Sequence, residues 1–402
     1  MIKRDYFFKN YIKNSSSYRN NLKKTKKVFN SFLIDLKNFD IPLLESYEKD
    51  YKLDFSREMV KKFSKYKNII IIGVGGSVLG TKSIYSFLKK KIKKKVFFFD
   101  NLDPDLNLKF KKIKNLKNSC FVVISKSGET IETIINLGSI FSKSLLKNRL
   151  VIIAQLTDNA LMSIANKYNA EIIEHKEFIS GRYSVLSETG MFPAALLGLN
   201  LMKFKNLKRL IKNKNFISTL LHNVASIHTL TSKKINNSII LNYDSDLNDL
   251  GYWYQQLVAE SLGKKGKGIN PVLSFGPKDH HSLLQLYLDG PKDKFFTFFN
   301  SLKSEDKFRV SQDIIPNGMK FLKSKNLKSV INAQCNAVKN IFRLKKIPFR
   351  QIIFSKKNEE SLGEIFTFFA LETILLSRLM NINPFDQPAV EQVKTETKNI
   401  LR

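Results

Sequence analysis

The stretch Y-W-Y-Q-Q-L-V-A-E-S-L-G-K at residues 252–264 carries a carboxylate that is well placed for proton transfer. Its apolar and polar positions follow a helical period, and Gly263 stands where a helix would end. Gln256 and Glu260 are four residues apart and therefore share one helix face, where apolar neighbours such as Leu257 would partly shield the carboxylate. Desolvation disfavours the charged form and would make Glu260 a base usable near neutral pH. The alternative is a capping or salt-bridged glutamate among many lysines.

A cluster of hydroxyl side chains stands in S-K-S-G-E-T-I-E-T, residues 125–133, directly after a strand-like apolar run. Ser125, Ser127 and Thr130 precede an apolar-periodic helix, so hydroxyls and backbone amides at the helix start would enclose a phosphate. The alternative is a serine-rich helix cap completed by the glutamates of the segment. The density of hydroxyls favours the phosphate interpretation, which requires the Glu129 carboxylate to point away from the anion.

The glycine turn G-V-G-G-S at residues 73–77 also follows a buried apolar run. It does not match the dinucleotide fingerprint, because Val78 stands where the third glycine is needed. It does not match the Walker A loop either, because Thr81 precedes Lys82. What remains is a turn that exposes amides and the Ser77 hydroxyl at a helix N-terminus, which suits hydroxyl or phosphate oxygens.

Two further features concern positive or titratable side chains. Arg182 follows Gly181 in G-R-Y-S. The guanidinium group of an arginine on such a turn can be held where negative charge develops during a reaction. The alternative is that Arg182 only forms an ordinary structural ion pair. The five histidines show no metal-type spacing, so no metal site is expected. If a helix begins near the adjacent pair His280 and His281, only one of them can face a pocket.

Strand-like apolar runs recur along the chain and alternate with helix-length amphipathic segments, which predicts an α/β fold with two doubly wound parallel sheets. The first 66 residues are predicted to be largely helical, and long helices are expected from about Lys325 and over 361–380. The predicted strands are 69–72, 96–99, 121–124, 150–154, 170–173, 238–242, 271–275, 295–299 and 349–354. The predicted divisions are a helical segment 1–54, a first α/β domain 55–200, a connecting helical segment 201–236, a second α/β domain 237–380 and a C-terminal segment 381–402 ending in a helix.

Composition narrows the class of protein further. A length of 402 residues with 43% hydrophobic residues allows two or three packed domains, and no apolar run is long enough to predict a membrane span. The basic N-terminus does not have the pattern of a secretory signal, and an organellar presequence is less favoured. Two cysteines without disulfide or metal spacing fit a reducing cytoplasm. The net charge of +33 is spread over the whole chain, which favours solvated surface lysines over a nucleic-acid site.

Taken together, these segments resemble the glucose-6-phosphate isomerase (phosphoglucose isomerase) family. The matching motifs occur in the family's order from about residue 68 to 398: G-V-G-G-S, S-K-S-G-E-T-I-E-T, G-R-Y-S-V-L-S, Q-Q-L-V-A-E-S-L-G-K, H-S-L-L-Q-L-Y-L-D-G-P-K-D and F-D-Q-P-A-V-E-Q-V-K. The resemblance implies two sugar-isomerase-type α/β domains, a homodimer and a hexose 6-phosphate substrate. It also implies interconversion of glucose 6-phosphate and fructose 6-phosphate through a cis-enediol intermediate, without a cofactor.

The same resemblance implies a role for each residue at a motif position. Glu260 corresponds to the base that moves a proton between C2 and C1, and Arg182 to the arginine that steadies the enediolate. His281 corresponds to the ring-opening histidine supplied by the partner subunit, assisted by Lys394, with Gln387 beside it. The substrate and phosphate contacts fall on Gly76, Ser77, Ser125, Lys126, Ser127, Thr130, Gly181 and Gln256.

Departures from the family pattern leave some assignments open. His280 stands where many members carry glutamine, so either histidine could be the ring-opening residue. Gly128-Glu129 replaces a bulkier pair of the eukaryotic-type loop, so closure of that loop would differ. Three alternative functions also remain: an isomerase that accepts mannose 6-phosphate as well, a non-catalytic sugar-phosphate sensor, and a nucleic-acid-binding protein.

Overall fold

The strands form two five-stranded sheets in the computed structural model, which describes residues 2–5, 8–12, 15–140, 146–302 and 309–402. The strands are β1 (Ile2–Asp5), β2 (Asn68–Ile72), β3 (Lys95–Phe99), β4 (Ser119–Ile124), β5 (Leu150–Ala154), β6 (Glu171–Glu174), β7 (Asn237–Asn242), β8 (Asn270–Phe275), β9 (Lys294–Ser301) and β10 (Phe349–Phe354). The α-helices are α1 (Lys9–Ile12), α2 (Ser16–Lys37), α3 (Arg57–Ser64), α4 (Gly76–Leu88), α5 (Leu106–Lys111), α6 (Ile131–Ser139), α7 (Ala160–Tyr168), α8 (Glu188–Leu196), α9 (Leu201–Phe204), α10 (Leu207–Leu210), α11 (Lys214–Thr231), α12 (Asn248–Leu262), α13 (Leu284–Asp289), α14 (Leu327–Leu344), α15 (Glu359–Met380) and α16 (Pro388–Leu401). Short 3₁₀ helices are Pro42–Tyr47, Lys89–Lys91, Leu116–Asn118, Gly181–Leu186, Ser245–Leu247, Lys278–His280 and Asn317–Leu322.

The first sheet is wholly parallel, with the strand order β3-β2-β4-β5-β6. Its central strand β2 has the sequence N-I-I-I-I and is buried along its whole length, as expected for a β-branched run covered on both faces. The chain order reverses between β2 and β4, and the loops that follow these two neighbouring strands are the glycine turn and the hydroxyl-rich segment. Both candidate phosphate features therefore lie at the carboxyl edge of one sheet, where α/β folds bind ligands.

The second sheet has the order β1-β10-β9-β7-β8, and the strands from β7 to β10 are mutually parallel. The strands predicted from apolar runs are confirmed in both sheets, as are the long helices α14 and α15. The helix that carries Glu260 is α12, which begins at Asn248, four residues before the predicted stretch.

The prediction of a helical N-terminus is wrong for residues 2–5. This segment is strand β1, which pairs antiparallel with β10 and covers the edge of the second sheet. Pairing satisfies the backbone groups of an otherwise open edge, and that gain depends on a partner about 350 residues away, which local sequence periodicity does not reveal. Residues 51–56 are also non-helical, whereas α2 and α3 are helical as expected. Residues 1, 6–7 and 13–14 of the predicted segment lie outside the described part of the chain.

The two halves meet through their helices, and this contact positions the candidate site. Helix α4, which starts at the glycine turn, packs against α12. On its other side α12 packs against the almost wholly buried α15, where the Trp253 and Phe366 ring centroids are 4.7 Å apart and those of Tyr254 and Phe369 are 4.4 Å apart. Helix α12 is thus fixed from both sides. No described helix combines the length and hydropathy needed to cross a bilayer.

Candidate active site

The Glu260 carboxylate projects from the solvent-facing side of α12 and is held at both oxygens. The Nε2 of Gln256, one turn earlier, donates a hydrogen bond of 2.7 Å to Oε1, as the four-residue spacing predicts. The Nη1 of Arg182 donates to Oε2 at 3.2 Å. The side chain of Glu260 is 31% exposed, while its helix neighbours Leu257 and Ser261 are buried. The carboxylate is thus fixed in direction yet reachable by a small ligand.

Arg182 uses its whole guanidinium group to join three parts of the chain. It is 1% exposed and lies in the 3₁₀ helix Gly181–Leu186. Its Nε donates to Ser261 Oγ at 2.9 Å, and its Nη1 reaches Gln387 Oε1 at 3.2 Å in addition to Glu260. Its Nη2 donates to the backbone carbonyls of Pro384 and Asp386 at 2.6 and 3.0 Å. A buried cation so constrained presents positive charge beside the carboxylate without the freedom to move away.

The glycine turn lies directly against these groups because Gly75 and Gly76 have no Cβ. A methyl carbon on Gly76 would lie 2.3 Å from the Gly181 carbonyl carbon and 2.7 Å from the Arg182 amide nitrogen. Gly75 has a positive φ of 56°, and a Cβ there would lie 2.9 Å from Gln256 Nε2. The turn thereby brings the half-exposed Ser77, at the start of α4, to the same edge as Gln256 and Arg182.

Gly76→Ala is expected to destabilise the protein by about 1–3 kcal/mol and to displace Arg182, because the added methyl group meets backbone atoms that cannot rotate away. Urea unfolding measures the stability. The matched control is Gly138→Ala in helix α6, where the added methyl group meets nothing within 4 Å and alanine is the better helix former. Equal stability of the two variants would contradict the close approach of the two turns.

The hydroxyl-rich segment that follows β4 supplies the second half of the site. The hydroxyls of Ser125 and Thr130 lie 2.8 Å apart, and the Thr130 side chain makes no capping hydrogen bond to helix α6, so the capping alternative does not describe it. The Glu129 carboxylate instead accepts a hydrogen bond of 2.7 Å from the amide of Ala160, at the start of α7. The prediction that Glu129 points away from the hydroxyls is confirmed. The exposed Ser127 completes the turn.

Lys126 and a buried histidine lie behind this turn. Lys126 Nζ donates to the Glu177 carbonyl at 2.7 Å. Burial lowers the pKa of Lys126; the Glu177 charge opposes this shift and the Arg182 charge adds to it. His175 is buried where β6 ends, and burial lowers its pKa to about 4, so its ring is neutral at pH 7. Sequence reasoning did not assign His175 to the site. His175 lies at the same sheet edge as the hydroxyl-rich turn, but the two are about 50 residues apart in sequence, so no local motif joins them.

The two histidines of the D-H-H segment differ in environment. The His280 ring lies 2.6 Å from the Tyr243 hydroxyl through Nε2, whereas His281 is exposed just beyond the 3₁₀ helix Lys278–His280. Lys394 on α16 is also exposed and pairs with Glu391 at 2.6 Å. Within the described residues, no contact joins the side chain of His281 or Lys394 to Glu260. A single chain therefore assembles Gln256, Glu260, Arg182 and Gln387, but not the other two predicted residues.

Sequence reasoning also missed the groups that hold the C-terminal turn against the carboxylate. Besides the carbonyls that bind Arg182, Lys264 Nζ donates to the Asn383 carbonyl at 2.6 Å and to Asp386 Oδ1 at 2.7 Å. Lys264 and Ser261 lie inside the Q-Q-L-V-A-E-S-L-G-K segment, and their place in that motif was the sequence feature that could have indicated their role. Among the described ranges, no group of three or more histidine, cysteine or acidic side chains is arranged to hold a metal ion.

Comparison with known proteins gives consistent results. Residues 56–402 match the model of the phosphoglucose isomerase family. The glucose-6-phosphate isomerase of Methanocaldococcus jannaschii is 34% identical over 86% of this chain and 87% of its own length, and that of Campylobacter jejuni is 30% identical over the full length of both. Among solved structures, a hypothetical protein from Thermus thermophilus covers both chains fully with a TM-score of 0.80 at 20% identity. A glucose-6-phosphate isomerase from Chlamydia trachomatis has a TM-score of 0.69 at 20% identity, covering 86% of this chain and 71% of that one. At such identities the structures establish the fold.

Proposed function

The chain belongs to the phosphoglucose isomerase family, and from this premise we propose that it interconverts glucose 6-phosphate and fructose 6-phosphate. It is an aldose–ketose isomerase. The observation that carries the proposal is the Glu260 carboxylate, held between Gln256 and Arg182 beside two turns suited to a sugar phosphate. Neither a sensor nor a nucleic-acid-binding protein would require an oriented carboxylate at that point.

Glu260 is the proposed base, because isomerisation needs one group that removes a proton from one carbon and returns it to the next. A single carboxylate serves both directions when C1 and C2 lie within reach of the same oxygen. Gln256 and Arg182 fix the carboxylate plane, which lowers the cost of reaching the productive geometry.

Arg182 is the proposed stabiliser of the enediolate. Negative charge develops on the substrate oxygens as the proton leaves, and a buried cation that is already oriented lowers the energy of that state more than that of the neutral sugar. Its ties to Gln387 and to the 384–386 backbone bring the C-terminal segment to the reacting end of the sugar. Gly76 allows the close approach of the turn that carries Arg182, whereas a Cβ on Gly181 would make only an ordinary contact with Gly76 at 3.6 Å.

The phosphate is proposed to lie at the carboxyl edge of the first sheet. A sugar phosphate carries about −1.5 to −2 charges at pH 7. Neutral hydroxyls and amides bind it less tightly than several cations would, so the product can still leave. Binding energy from this remote group orients the sugar at Glu260. The residues proposed to contact the phosphate are Gly76, Ser77, Ser125, Lys126, Ser127 and Thr130.

Ring opening is proposed to require a second copy of the chain. His281 is exposed and its neighbour His280 is engaged by Tyr243, which favours His281 as the group that a partner subunit would present to Glu260. Lys394 would assist once α16 is packed in the dimer.

We further propose that the protein is cytoplasmic, since both cysteines are free and buried. We also propose that the chain divides into two α/β domains, at 55–200 and 237–380.

A coupled assay tests the proposal directly. Fructose 6-phosphate is supplied, and glucose 6-phosphate is followed through NADP reduction by its dehydrogenase, with and without EDTA. We expect turnover in both cases. A pure, folded protein without activity in this assay would refute the function, and comparable turnover of mannose 6-phosphate would extend it to a dual isomerase.

A further inference from the structure

The residues that follow β8 form a turn that carries both histidines of the D-H-H segment. We call residues 276–282 the histidine turn. It leaves the carboxyl end of β8 beside the end of β7, where the amide of Gly276 donates to the Asn242 carbonyl at 2.7 Å. The proposed reaction uses only His281 from this turn, although specific contacts hold several of its other groups.

The ring of Tyr243 is the surface on which the histidine turn lies. Tyr243 directly follows β7 and is 2% exposed. Its ring is nearly parallel to that of Phe298 on β9, with centroids 6.1 Å apart and an interplanar angle of 9°. A Cβ on Gly276 would lie 2.5 Å from Tyr243 Cε1, so glycine allows the chain to pass this close to the ring. A buried ring at the end of the neighbouring strand thus fixes the start of the turn.

Asp279 joins the two ends of the histidine turn. Its Oδ2 accepts hydrogen bonds from the Phe275 amide at 2.6 Å and from Ser274 Oγ at 3.0 Å, and its Oδ1 accepts one from Ser282 Oγ at 3.1 Å. Burial raises the pKa of Asp279, but these hydrogen bonds and the Lys278 charge outweigh that effect and lower it. The carboxylate is therefore ionised and holds the turn closed.

His280 connects the histidine turn to the Tyr243 hydroxyl. Its Nε2 lies 2.6 Å from the hydroxyl oxygen, and the two rings meet nearly edge to face, with centroids 5.6 Å apart at 64°. Burial lowers the pKa of His280, an effect that the His281 charge increases and the Asp279 charge opposes. Burial also raises the pKa of Tyr243. The protonated phenol therefore donates to the lone pair of a neutral imidazole.

His280 and His281 project in different directions because they are neighbours on a 3₁₀ turn. Successive side chains of a 3₁₀ helix are about 120° apart around its axis. His281 keeps helical backbone angles just beyond the helix Lys278–His280, so the contact of His280 with Tyr243 turns His281 away from that ring. His281 is accordingly exposed. Fixing one ring therefore fixes the backbone from which the other projects.

We propose that His280 is a positioning residue for ring opening, which together with Tyr243 fixes the direction in which His281 is presented to the Glu260 site of a partner subunit. This role rests on the proposed function, in which His281 is the ring-opening group. It requires an acceptor at the place of Nε2 and does not require that His280 itself gain or lose a proton.

Three variants in the coupled assay test this role. Tyr243→Phe keeps the ring and loses the hydroxyl, His280→Phe keeps a ring without nitrogen, and His280→Gln keeps an acceptor in place of Nε2. We expect the two phenylalanine variants to lower kcat about 10–100-fold with KM nearly unchanged, since misplacing a reacting group affects turnover more than binding. Combining them should cost no more than either alone, because they break one contact. His280→Gln should keep kcat within about threefold of the parent.

The matched control is Tyr18→Phe, which removes the hydroxyl from a second tyrosine–histidine pair. The Tyr18 hydroxyl on α2 lies 2.5 Å from His222 Nδ1 on α11. Urea unfolding should show similar losses of stability for Tyr18→Phe and Tyr243→Phe, but only Tyr243→Phe should lose kcat. Equal losses of kcat would overturn the inference, because they would indicate a general effect of stability. Unchanged kcat in Tyr243→Phe and His280→Phe would also overturn it.

Mixed dimers test whether His280 acts on the site of the other subunit. His280→Phe and Glu260→Gln chains are co-expressed with different affinity tags, and purification through both tags isolates dimers with one chain of each kind. One site of such a dimer combines an intact Glu260 with an intact histidine turn, so we expect about half of the parent activity per dimer. Failure to recover a mixed dimer, or activity no higher than that of the separate variants, would overturn the inference. An inactive parent would instead refute the proposed function, and the role of His280 with it.

Discussion

Glu260→Gln is expected to lower the turnover of fructose 6-phosphate by about 10²–10⁴-fold while the protein folds normally. The amide has the shape of the carboxylate and keeps an oxygen for the Arg182 hydrogen bond, but it cannot take a proton from carbon. Because the phosphate contacts lie on other elements, the loss should fall on kcat and leave KM nearly unchanged. Steady-state kinetics in the coupled assay separate the two parameters.

A second measurement isolates the proton-transfer step from ring opening. Incubation of fructose 6-phosphate in D₂O should introduce deuterium at C1 with the parent enzyme and far more slowly with Glu260→Gln. The control Glu360→Gln removes an exposed carboxylate from the first turn of α15, and both rates should be unchanged. Undiminished turnover of Glu260→Gln would remove this residue from the mechanism. A folded variant with raised KM and intact kcat would make it a binding group only.

Much of this arrangement could be predicted from local sequence because it depends on short-range rules. The run Ile69–Ile72 specifies a buried strand, and the glycines after it specify a turn that only glycine tolerates. Gln256 and Glu260 share a face wherever their segment is helical. Since carboxyl ends of parallel strands meet at one edge, placing the motifs after strands was enough to bring the two turns together.

The contacts of Arg182 could not be predicted in the same way. Two of its partners are backbone carbonyls at 384 and 386, and a carbonyl has no residue type that would single it out. Strand β1 was not predicted for a related reason: an edge strand of four residues forms because it pairs with a neighbouring strand, and its own sequence pattern is too short to indicate it. Among the described residues, no contact joins the side chain of His281 or Lys394 to Glu260, and the resemblance had implied a partner-subunit origin for His281 alone.

A buried charge network that contacts α12 could not be predicted from the sequence either, because its members come from five separate elements. Arg350 on β10 and Glu372 on α15 are 2% and 1% exposed and form a paired contact, with Nη1–Oε2 at 2.6 Å and Nη2–Oε1 at 3.2 Å. Arg350 Nε also donates to Thr297 at 2.8 Å, and Asn223 donates to Glu372. Tyr254 of α12 accepts from Arg350 Nη2 at 3.2 Å, which ties the helix of Glu260 to this network.

Arg350→Met is expected to lower the free energy of unfolding by about 3–5 kcal/mol, because it leaves the Glu372 carboxylate buried without its cation. Urea unfolding of the parent and the variant measures the loss. The informative partner is the double variant Arg350→Met, Glu372→Leu, which removes both charges and fills the space with apolar groups. We expect it to recover most of the stability, since removing a whole buried pair costs less than removing one member.

Whether the Arg350–Glu372 pair stabilises the fold follows from comparing the stability of the double variant with that of Arg350→Met. If the double variant is less stable than Arg350→Met, the hydrogen bonds to Thr297, Asn223 and Tyr254 outweigh the desolvation of the charges, and the pair is a net stabiliser. If it recovers as expected, stability is not what the pair provides, and its contribution is the fixed position of α12. In that case the double variant should fold well and still show reduced kcat, because the Tyr254 hydroxyl, six residues before Glu260, loses its hydrogen bonds to Arg350 and Glu372, and only ring packing then holds this turn of the helix that aims the carboxylate.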